Sequence, residues 1–360
     1  MILTYKYRLK DRCARKVLRQ HAIACNQVWN YCVDVQRETE RKWRSGRSHA
    51  PWLSRFELVR LTKGVSAELH IHAQTVQEIC RRFVESRDKK KGTPRLRASF
   101  GPRAARGFVP FQKQSRQISG NCITYLGKKY RFFGSKKRPI SIASASGGAF
   151  VEDSVGRWWA VIHVNSTEAS NAQNGTIGID LGLETIATMS DGTRIERVRH
   201  FASHERKLAT AQRARNKRQT KVIHAKIANS RRDQNHKSTS KIVRENSFIA
   251  VGDVSSVKLT KTRMAKSVSD VGWAQFKSML LYKARLRRAE VKIVNESFST
   301  QACSDCGAIG GPKGIAGLRI RDWECPHCGA VHDRDVNAAK NILNFALSAQ
   351  RRGDESRRAA

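Results

Sequence analysis

Acidic side chains are scarce in this sequence. Thirty Asp and Glu stand against sixty-nine Lys and Arg, a formal charge of +39 over 360 residues. An excess of that size repels itself in a compact chain unless a polyanion offsets it, which makes nucleic acid the expected partner. Long apolar runs are also lacking. No stretch approaches the roughly 18 consecutive apolar residues of a membrane span, and the basic residues are spread over the whole length instead of one amphipathic helix, so no membrane partner is expected. The N-terminus, MILTYKYRLK, has no apolar core of a secretory signal, which points to an intracellular protein with reduced thiols. With 39% hydrophobic residues the chain can bury one substantial core plus accessory modules, two or three units in all.

Nine cysteines are present and fall into two groups. Cys13, Cys25, Cys32, Cys80 and Cys122 are scattered and read as small buried residues. Cys303-Ser-Asp-Cys306 and Cys325-Pro-His-Cys328 form two CxxC pairs 18 residues apart, each followed by a glycine, Gly307 or Gly329. That spacing predicts a zinc ribbon: each pair makes a tight knuckle, the glycine permits its left-handed turn, and four thiolates close a tetrahedral site. A closed site leaves no coordination position for chemistry, so this zinc is structural. His327 and His332 lie nearby but are redundant as ligands and read as solvent-facing.

Residues 1 to 10 alternate like a short strand, and 11 to about 90 read as helical, with apolar stripes at Val28, Trp29 and Cys32 and at Val76, Ile79, Cys80 and Phe83. The basic, Gly- and Pro-bearing run from 86 to 107 is expected to be a junction lying on phosphates or a solvated linker. From Phe108 to Val164 short alternating runs suggest a small antiparallel barrel or sheet, with SASGGA at 144 to 149 as a turn. After Asn174 three strands follow at 176 to 181, 185 to 190 and 193 to 197, with a hairpin turn at Ser190 to Thr193. A basic helical stretch comes next, then a strand at 248 to 254, a helix at 269 to 288 and a strand at 291 to 296. The cysteine pairs and a last helix at 335 to 347 complete the order. Three meandering strands followed by helix, strand, helix, strand, helix is an RNase H-like order, in which the first strand is central, the fourth lies beside it and the fifth beside the fourth.

Asp180 then stands in the first strand as the one charge of an apolar run, which is costly unless paired or metal-bound. Taken alone it also fits a cap of the following turn, as Asp335 alone fits an N-cap of the last helix. Together, on the first strand and at the start of the last helix of this fold, they converge on one edge of the sheet. There they suit a pair of divalent ions for in-line attack on a phosphodiester.

The blocks GIDLGL (178 to 183), HAKIANSRRDQNHKSTSKIVREN (224 to 246), AKSVSDVGWAQFKSMLLYKA (265 to 284) and TQACSDCG with CPHCGAVHDRDVNAAKNIL (300 to 343) resemble the TnpB family. These are transposon-encoded proteins with a RuvC-type nuclease domain, relatives of the type V CRISPR effectors. The likeness covers 174 to 345 and is weaker toward the N-terminus, where it rests on ACNQVWNYC (24 to 32). It implies a multi-domain α+β protein. A wedge β-barrel would be built from the strand at 1–10 and from 93–170, with a helical recognition insert at 11–92. An RNase H-like RuvC domain would cover 171–298 and 331–347, with the zinc ribbon inserted at 299–330 and a disordered tail at 348–360. The activity implied is RNA-guided, Mg²⁺-dependent DNA cleavage. The partners implied are a guide RNA from the transposon end and double-stranded target DNA beside a short adjacent motif. The setting would be the cytoplasm of a bacterial or archaeal cell, on the nucleoid when DNA is bound. Asp180 matches the family's first acidic position and Asp335 its third, and the four cysteines match its ribbon.

The second acidic position departs from the pattern. Similar proteins carry a glutamate at the strand end where this chain has Gly252. Three accounts compete. Asp253 serves after a one-residue shift, although that shift turns the side chain to the opposite face. The site is dead and the protein is an RNA-guided DNA-binding repressor. Or the carboxylate has moved to Glu296, at the end of the neighbouring strand about 4.8 Å away, with glycine at 252 leaving it room. Relocation is preferred because Asp180 and Asp335 both persist. On that account Asp180, Glu296 and Asp335 hold two Mg²⁺ ions.

Residues 205 to 245 carry thirteen Lys and Arg against three acids, on two expected helices. Arg213, Arg215, Lys217, Arg218, Lys226, Arg231, Arg232 and Lys237 are the candidates for lining a heteroduplex channel read by backbone shape, against a merely solvated basic face. Trp158 and Trp159 are candidates for stacking on bases, but adjacent strand positions point oppositely, so at least one is core. Two rival classes remain, a DDE-type transposase and a plain zinc-ribbon nucleic-acid-binding protein. The ribbon's place before the last helix opposes the first, and Asp180 has no purpose in the second.

Overall fold

A computed structural model describes residues 2–10, 14–134, 145–165, 171–254, 268, 270–313, 317 and 319–358, with 351–358 as backbone alone. Part of the 265 to 284 block, Cys13 and Ser144 lie outside the described residues. The chain divides into two compact units, Met1–Thr167 and Glu168–Ala360. Its architecture is α+β.

In the first unit, β1 (Ile2–Arg8) leads into the long helix α1 (Ala14–Arg44), followed by α2 (Arg55–Leu61), α3 (Val65–Glu68) and α4 (Ala73–Lys90). The apolar stripes of α1 and α4 form the unit's core: Val28, Trp29 and Cys32 pack with Val76, Ile79, Cys80 and Phe83. The basic run that follows is not free throughout. Asn30 Oδ1 accepts the Arg97 N–H at 2.7 Å, its Nδ2 donates to the Arg97 carbonyl at 3.1 Å, and the Arg97 guanidinium lies 3.5 Å from the Trp29 ring centroid. Asn26, Trp29 and Asn30 of the ACNQVWNYC block thus fasten residues 95 to 99 onto α1.

The strands of this unit, β2 (Phe108–Gln112), β3 (Arg116–Ser119), β4 (Cys122–Tyr125), β5 (Lys128–Arg131), β6 (Ala145–Glu152) and β7 (Trp158–Asn165), form two sheets among the described residues. One is ordered β1-β7-β6-β2 and the other β3-β4-β5, and a single bridge, Leu9 to Phe132, joins them. Of the stretch expected to turn at 144 to 149, residues 145 to 149 are instead the first part of β6. Its glycines are strand glycines required by close packing: a Cβ on Gly148 would stand 2.8 Å from the Phe111 ring. Trp158 is core, while Trp159 donates to Asp153 Oδ2 at 3.0 Å and lies under Lys6, so neither is a bare stacking platform.

The second unit is built on a five-stranded sheet. Its strands are β8 (Gly175–Asp180), β9 (Thr185–Met189), β10 (Arg194–Glu196), β11 (Asn246–Gly252) and β12 (Glu290–Val294). The order is β10-β9-β8-β11-β12, so the first strand of the meander is central. The first three strands are antiparallel, and β11 runs parallel to both β8 and β12. Between β10 and β11 lie α5 (Glu205–Arg213) and α6 (Lys217–Glu245), the latter capped by the Asn216 side chain. Helix α7 (Trp273–Leu286) precedes β12. Two short strands, β13 (Asp322–Glu324) and β14 (Val331–Asp333), lead into α8 (Arg334–Arg358).

Alternation along β11 divides the core. Ile249 and Val251 face the cluster that holds Trp273, Phe276 and Leu280 of α7, whereas Phe248, Ala250 and Val294 pack with Ile342, Leu343 and Ala346 of α8. The last helix does not stop at 347: it continues through the expected tail to Arg358. The segment from Ser348 holds no proline, and its Ala, Gln, Arg and Glu residues offset Gly353, so the hydrogen-bond ladder continues once the preceding turns are nucleated.

Candidate functional site

Asp180 ends β8. Two residues earlier, Gly178 lies so close to α8 that a Cβ there would stand 2.8 Å from Leu343 Cβ, so the Gly178 and Asp180 side of β8 is the α8 side. The neighbouring strands put Gly252 at the same level, one residue beyond the Ile179–Val251 pair and directly opposite Val294. A Cβ on Gly252 would stand 3.2 Å from Ile342 of α8 and 2.9 Å from Glu296 Oε2. Glu296 therefore reaches back from the end of β12 over the Gly252 backbone, on the face that also carries Asp180.

Asp335 enters the same face from the first turn of α8. It shares a stripe with Ala339, Ile342 and Ala346, all buried. The cap of this helix is the preceding Asp333, whose Oδ1 accepts the N–H groups of Asp335 and Val336 at 3.1 and 2.9 Å. Asp335 is thereby left free of capping duty. Its carboxylate receives Arg334 at 2.9 Å and Arg321 at 2.7 Å, and Arg321 also pairs with Glu184.

Electrostatics register the crowding. The Asp180 carboxyl is pushed up to about 7, first by burial and then by the charges of Asp335 and Glu296. Burial likewise raises Glu296, with Asp253 adding to the shift and Lys277 opposing it. Burial makes the Asp180 and Glu296 carboxyls resist ionisation, and at Asp180 the charges of Asp335 and Glu296 add to it, a strain that a hard cation relieves. Among the described residues, four cysteines form a His, Cys, Asp or Glu cluster whose ligand atoms all lie within 4.8 Å, and the carboxylates are spread more widely.

Asp253 is elsewhere. It is exposed, on the opposite side of the strand end, and its Oδ1 accepts from Lys277 Nζ of α7 at 2.9 Å. A one-residue shift along a strand reverses the side chain, and the ion pair fixes it there.

The cysteine pairs make two equivalent knuckles. Gly307 N–H donates to the Cys303 carbonyl and Gly329 N–H to that of Cys325, each at 2.9 Å, with both glycines left-handed at φ +80° and +70°. The Cys303–Cys328 and Cys306–Cys325 sulfurs are 3.7 Å apart in each case. Tetrahedral zinc with bonds of about 2.3 Å requires sulfur separations of about 3.8 Å, so this four-cysteine cluster fits a structural zinc site. His327 is exposed, but His332 is not solvent-facing as expected. It is buried, stacks on Trp323 with ring centroids 5.0 Å apart, and places Nε2 3.0 Å from Cys303 Sγ. A histidine beside a thiolate gains a hydrogen bond that exposure would not supply, and this is why it turns inward.

The basic candidates distribute along α5, α6 and the short connection between them, which holds Arg215. Arg213, Arg215, Lys217, Arg218, Lys226 and Arg232 are exposed. Arg231 is half-buried, with its Cδ 3.1 Å from where a Gly272 Cβ would be, and Lys237 pairs with Asp233 at 2.6 Å. Sequence reasoning missed Arg321, Arg334, Asn337 and Asn341, and placed His332 in solvent. Of the missed residues only the last pair left a signal, two amides four residues apart on the last helix.

Two known protein families match parts of this chain. Residues 160–263 match a family described as a probable transposase, and 273–342 match the Cas12f1-like TNB domain. A putative RNA-guided DNA endonuclease of Streptomyces pristinaespiralis is 36% identical over 217 residues, covering 56% of this chain and 53% of that protein. The putative RNA-guided DNA endonuclease InsQ of Escherichia coli K12 is 25% identical over 366 residues, covering 91% of this chain and 87% of that one. This chain thus spans about half of the first relative and most of the second. Among solved structures, Cas12f1 in a complex with sgRNA and target DNA shares the fold over 92% of this chain and 83% of its own, with a TM-score of 0.56 at 12% identity. Among the described residues no helix is long and apolar enough to cross a membrane.

Proposed function

We propose that this chain, a relative of the TnpB proteins, is an RNA-guided DNA endonuclease with a RuvC-type site formed by Asp180, Glu296 and Asp335. The single observation that carries the reading is the Glu296 carboxylate lying over Gly252, on the face shared with Asp180 and Asp335. The strand order of the second unit supports an RNase H-like nuclease domain over 171–298 and the helix from Arg334, with the cysteine module between them.

Asp180, Glu296 and Asp335 would hold divalent ions, Mg²⁺ in the cell. Bound there, such ions would supply a more acidic attacking water and stabilisation of the leaving 3′ oxygen. The chain's own part is to bring three carboxylates to one sheet edge despite their repulsion. The strand end buries Asp180, Gly252 gives Glu296 its approach, and Asp333 caps α8 so that Asp335 is not consumed as a cap. Before the ions bind, Arg321 and Arg334 balance Asp335. Cys303, Cys306, Cys325 and Cys328 would hold zinc and so fold the ribbon.

The guide RNA would come from the transposon end and pair with a target strand beside a short adjacent motif. Exposed cations on α5 and α6, Arg213, Arg215, Lys217, Arg218, Lys226 and Arg232, would track the heteroduplex backbone, with Arg231 and Lys237 in secondary roles because they are partly engaged within the protein.

The test is to purify the protein from cells that express the gene with its downstream flank, sequence the RNA that copurifies, and incubate the complex with a target-library plasmid and Mg²⁺. A defined RNA and cleavage beside one short motif, abolished by Asp180→Ala, are expected. Target binding without cleavage would leave a guided repressor, and cleavage or joining without RNA would overturn the guided reading.

A further inference from the structure

We infer that Asn337 and Asn341 are positioning residues that tie the first cysteine knuckle to α8 and thereby hold Asp335 in place, so that the zinc site sets the cation affinity of the acidic site. This rests on the reading of Asp180, Glu296 and Asp335 as a cation site.

Asn337 and Asn341 are 1% and 4% exposed. An amide buried at that depth costs more than a well-packed alanine unless its hydrogen bonds are made. Here they are made, and all to one short segment. Asn337 Nδ2 donates to the Ala302 carbonyl at 2.8 Å and the Ser299 carbonyl at 3.3 Å, and Asn341 Nδ2 donates to the same two carbonyls at 2.7 and 2.8 Å. Asn337 Oδ1 accepts the Ser304 N–H at 2.8 Å. These hydrogen bonds therefore fall on Ser299 and on Ala302 and Ser304, the two residues that flank Cys303. Both asparagines sit on one face of α8, and Asn337 is two residues beyond Asp335.

A second strap starts from the same cysteine. Cys303 Sγ is 3.0 Å from Nε2 of His332, the middle residue of β14, and the next residue, Asp333, is the cap that orients the N–H groups of Asp335 and Val336. The knuckle thus grips the start of α8 from the strand before it and from the helix after it, and Asp335 lies between the two grips. Four thiolates drawn onto zinc hold residues 302 to 304 in the shape that both straps require. Without zinc the segment loosens, two buried amides lose their acceptors, and the first turn of α8 loses its anchor.

The two Nδ2 groups serve the same two carbonyls, so either asparagine alone keeps most of the dock. Removing both removes it. The test uses the full chain with its copurified RNA and follows Mn²⁺ binding by electron paramagnetic resonance. The ions lost in Asp180→Asn define those at the acidic site and separate them from ions on RNA. Asn337→Ala and Asn341→Ala are each expected to raise the half-saturating Mn²⁺ concentration about threefold, and the double variant by about thirtyfold, more than the product of the singles, with zinc content and RNA binding unchanged. A folded, zinc-loaded double variant with wild-type Mn²⁺ affinity would overturn the inference. Should the double variant fail to fold, amide hydrogen exchange of residues 333 to 341 in the wild-type protein decides. Exchange at least tenfold faster after zinc is stripped supports the coupling, and unchanged exchange overturns it. If Asp180→Asn removes no Mn²⁺ from the wild-type signal, the nuclease reading itself has failed, and the exchange measurement still judges the dock on its own.

Discussion

Glu296 Oε2 occupies the space into which a side chain on Gly252 would grow: a Cβ there would stand 2.9 Å from it. The missing carboxylate of β11 and the present one beyond β12 are thus alternatives for one position. Gly252→Ala is expected to push Glu296 away and reduce cleavage at least tenfold, while costing only about 1 kcal/mol of stability in thermal or urea unfolding. Restoring a glutamate by Gly252→Glu within Glu296→Ala is expected to recover part of the cleavage that Glu296→Ala loses, measured on the same plasmid.

The pH dependence of stability has a definite sign. Because Asp180 is raised to about 7, the folded protein retains a proton there that the unfolded chain releases near pH 4. Between those values stability falls as pH rises. Scanning calorimetry of the zinc-loaded protein without added Mg²⁺ or chelator is expected to show a melting temperature that drops from pH 5 to pH 7.5, less steeply in Asp180→Asn. Saturating Mg²⁺ should flatten the wild-type slope and leave that of Asp180→Asn unchanged, because the ion relieves the same repulsion.

Removal of zinc by a chelator, or Cys325→Ser, is expected to unfold the ribbon, because a module this small has little core beyond Trp323, the cysteines and the partly buried Ala330. Near-ultraviolet circular dichroism of the Trp323 environment reports it, together with zinc content. The five-stranded sheet should retain its far-ultraviolet signal.

Salt dependence tests the basic helices. Arg232→Ala and Arg218→Ala are expected to weaken heteroduplex binding uniformly across sequences, and each should flatten the slope of log affinity against log salt by about 0.7 to 0.9 for every phosphate it leaves unneutralised. Lys237→Ala should change the slope less, because its ammonium is already shared with Asp233 at 2.6 Å.

What is legible in the sequence is what depends on short-range pattern. The CxxC spacing announces the knuckles, and Asp180 stands out as a charge in an apolar strand. Period-two alternation gives the face of Asp253, which the structure puts on the α7 side with Lys277. Glu296 is legible only through the strand order, since neither its own segment nor that of Gly252 mentions the other. What escapes depends on long-range packing or competing local signals. Arg321 meets Glu184 across 137 positions of sequence, which no periodicity records. SASGGA looks like a turn because glycine and serine favour turns, yet Gly148 is there to let Phe111 approach. His332 looks redundant by ligand count, but hydrogen bonding to a ligand, which counting does not see, is what buries it. The tail after Leu347 lacks large apolar residues, so it reads as disordered, but with no proline to stop it α8 continues to Arg358.

The most direct measurement is cleavage of a matched target plasmid in Mg²⁺ by the RNA-loaded protein, comparing wild type with Glu296→Ala and Asp253→Ala. The account predicts that wild type cuts, that Asp253→Ala cuts at a similar rate, and that Glu296→Ala still binds RNA and target but cuts at least a hundredfold more slowly. Undiminished cutting by Glu296→Ala would contradict it.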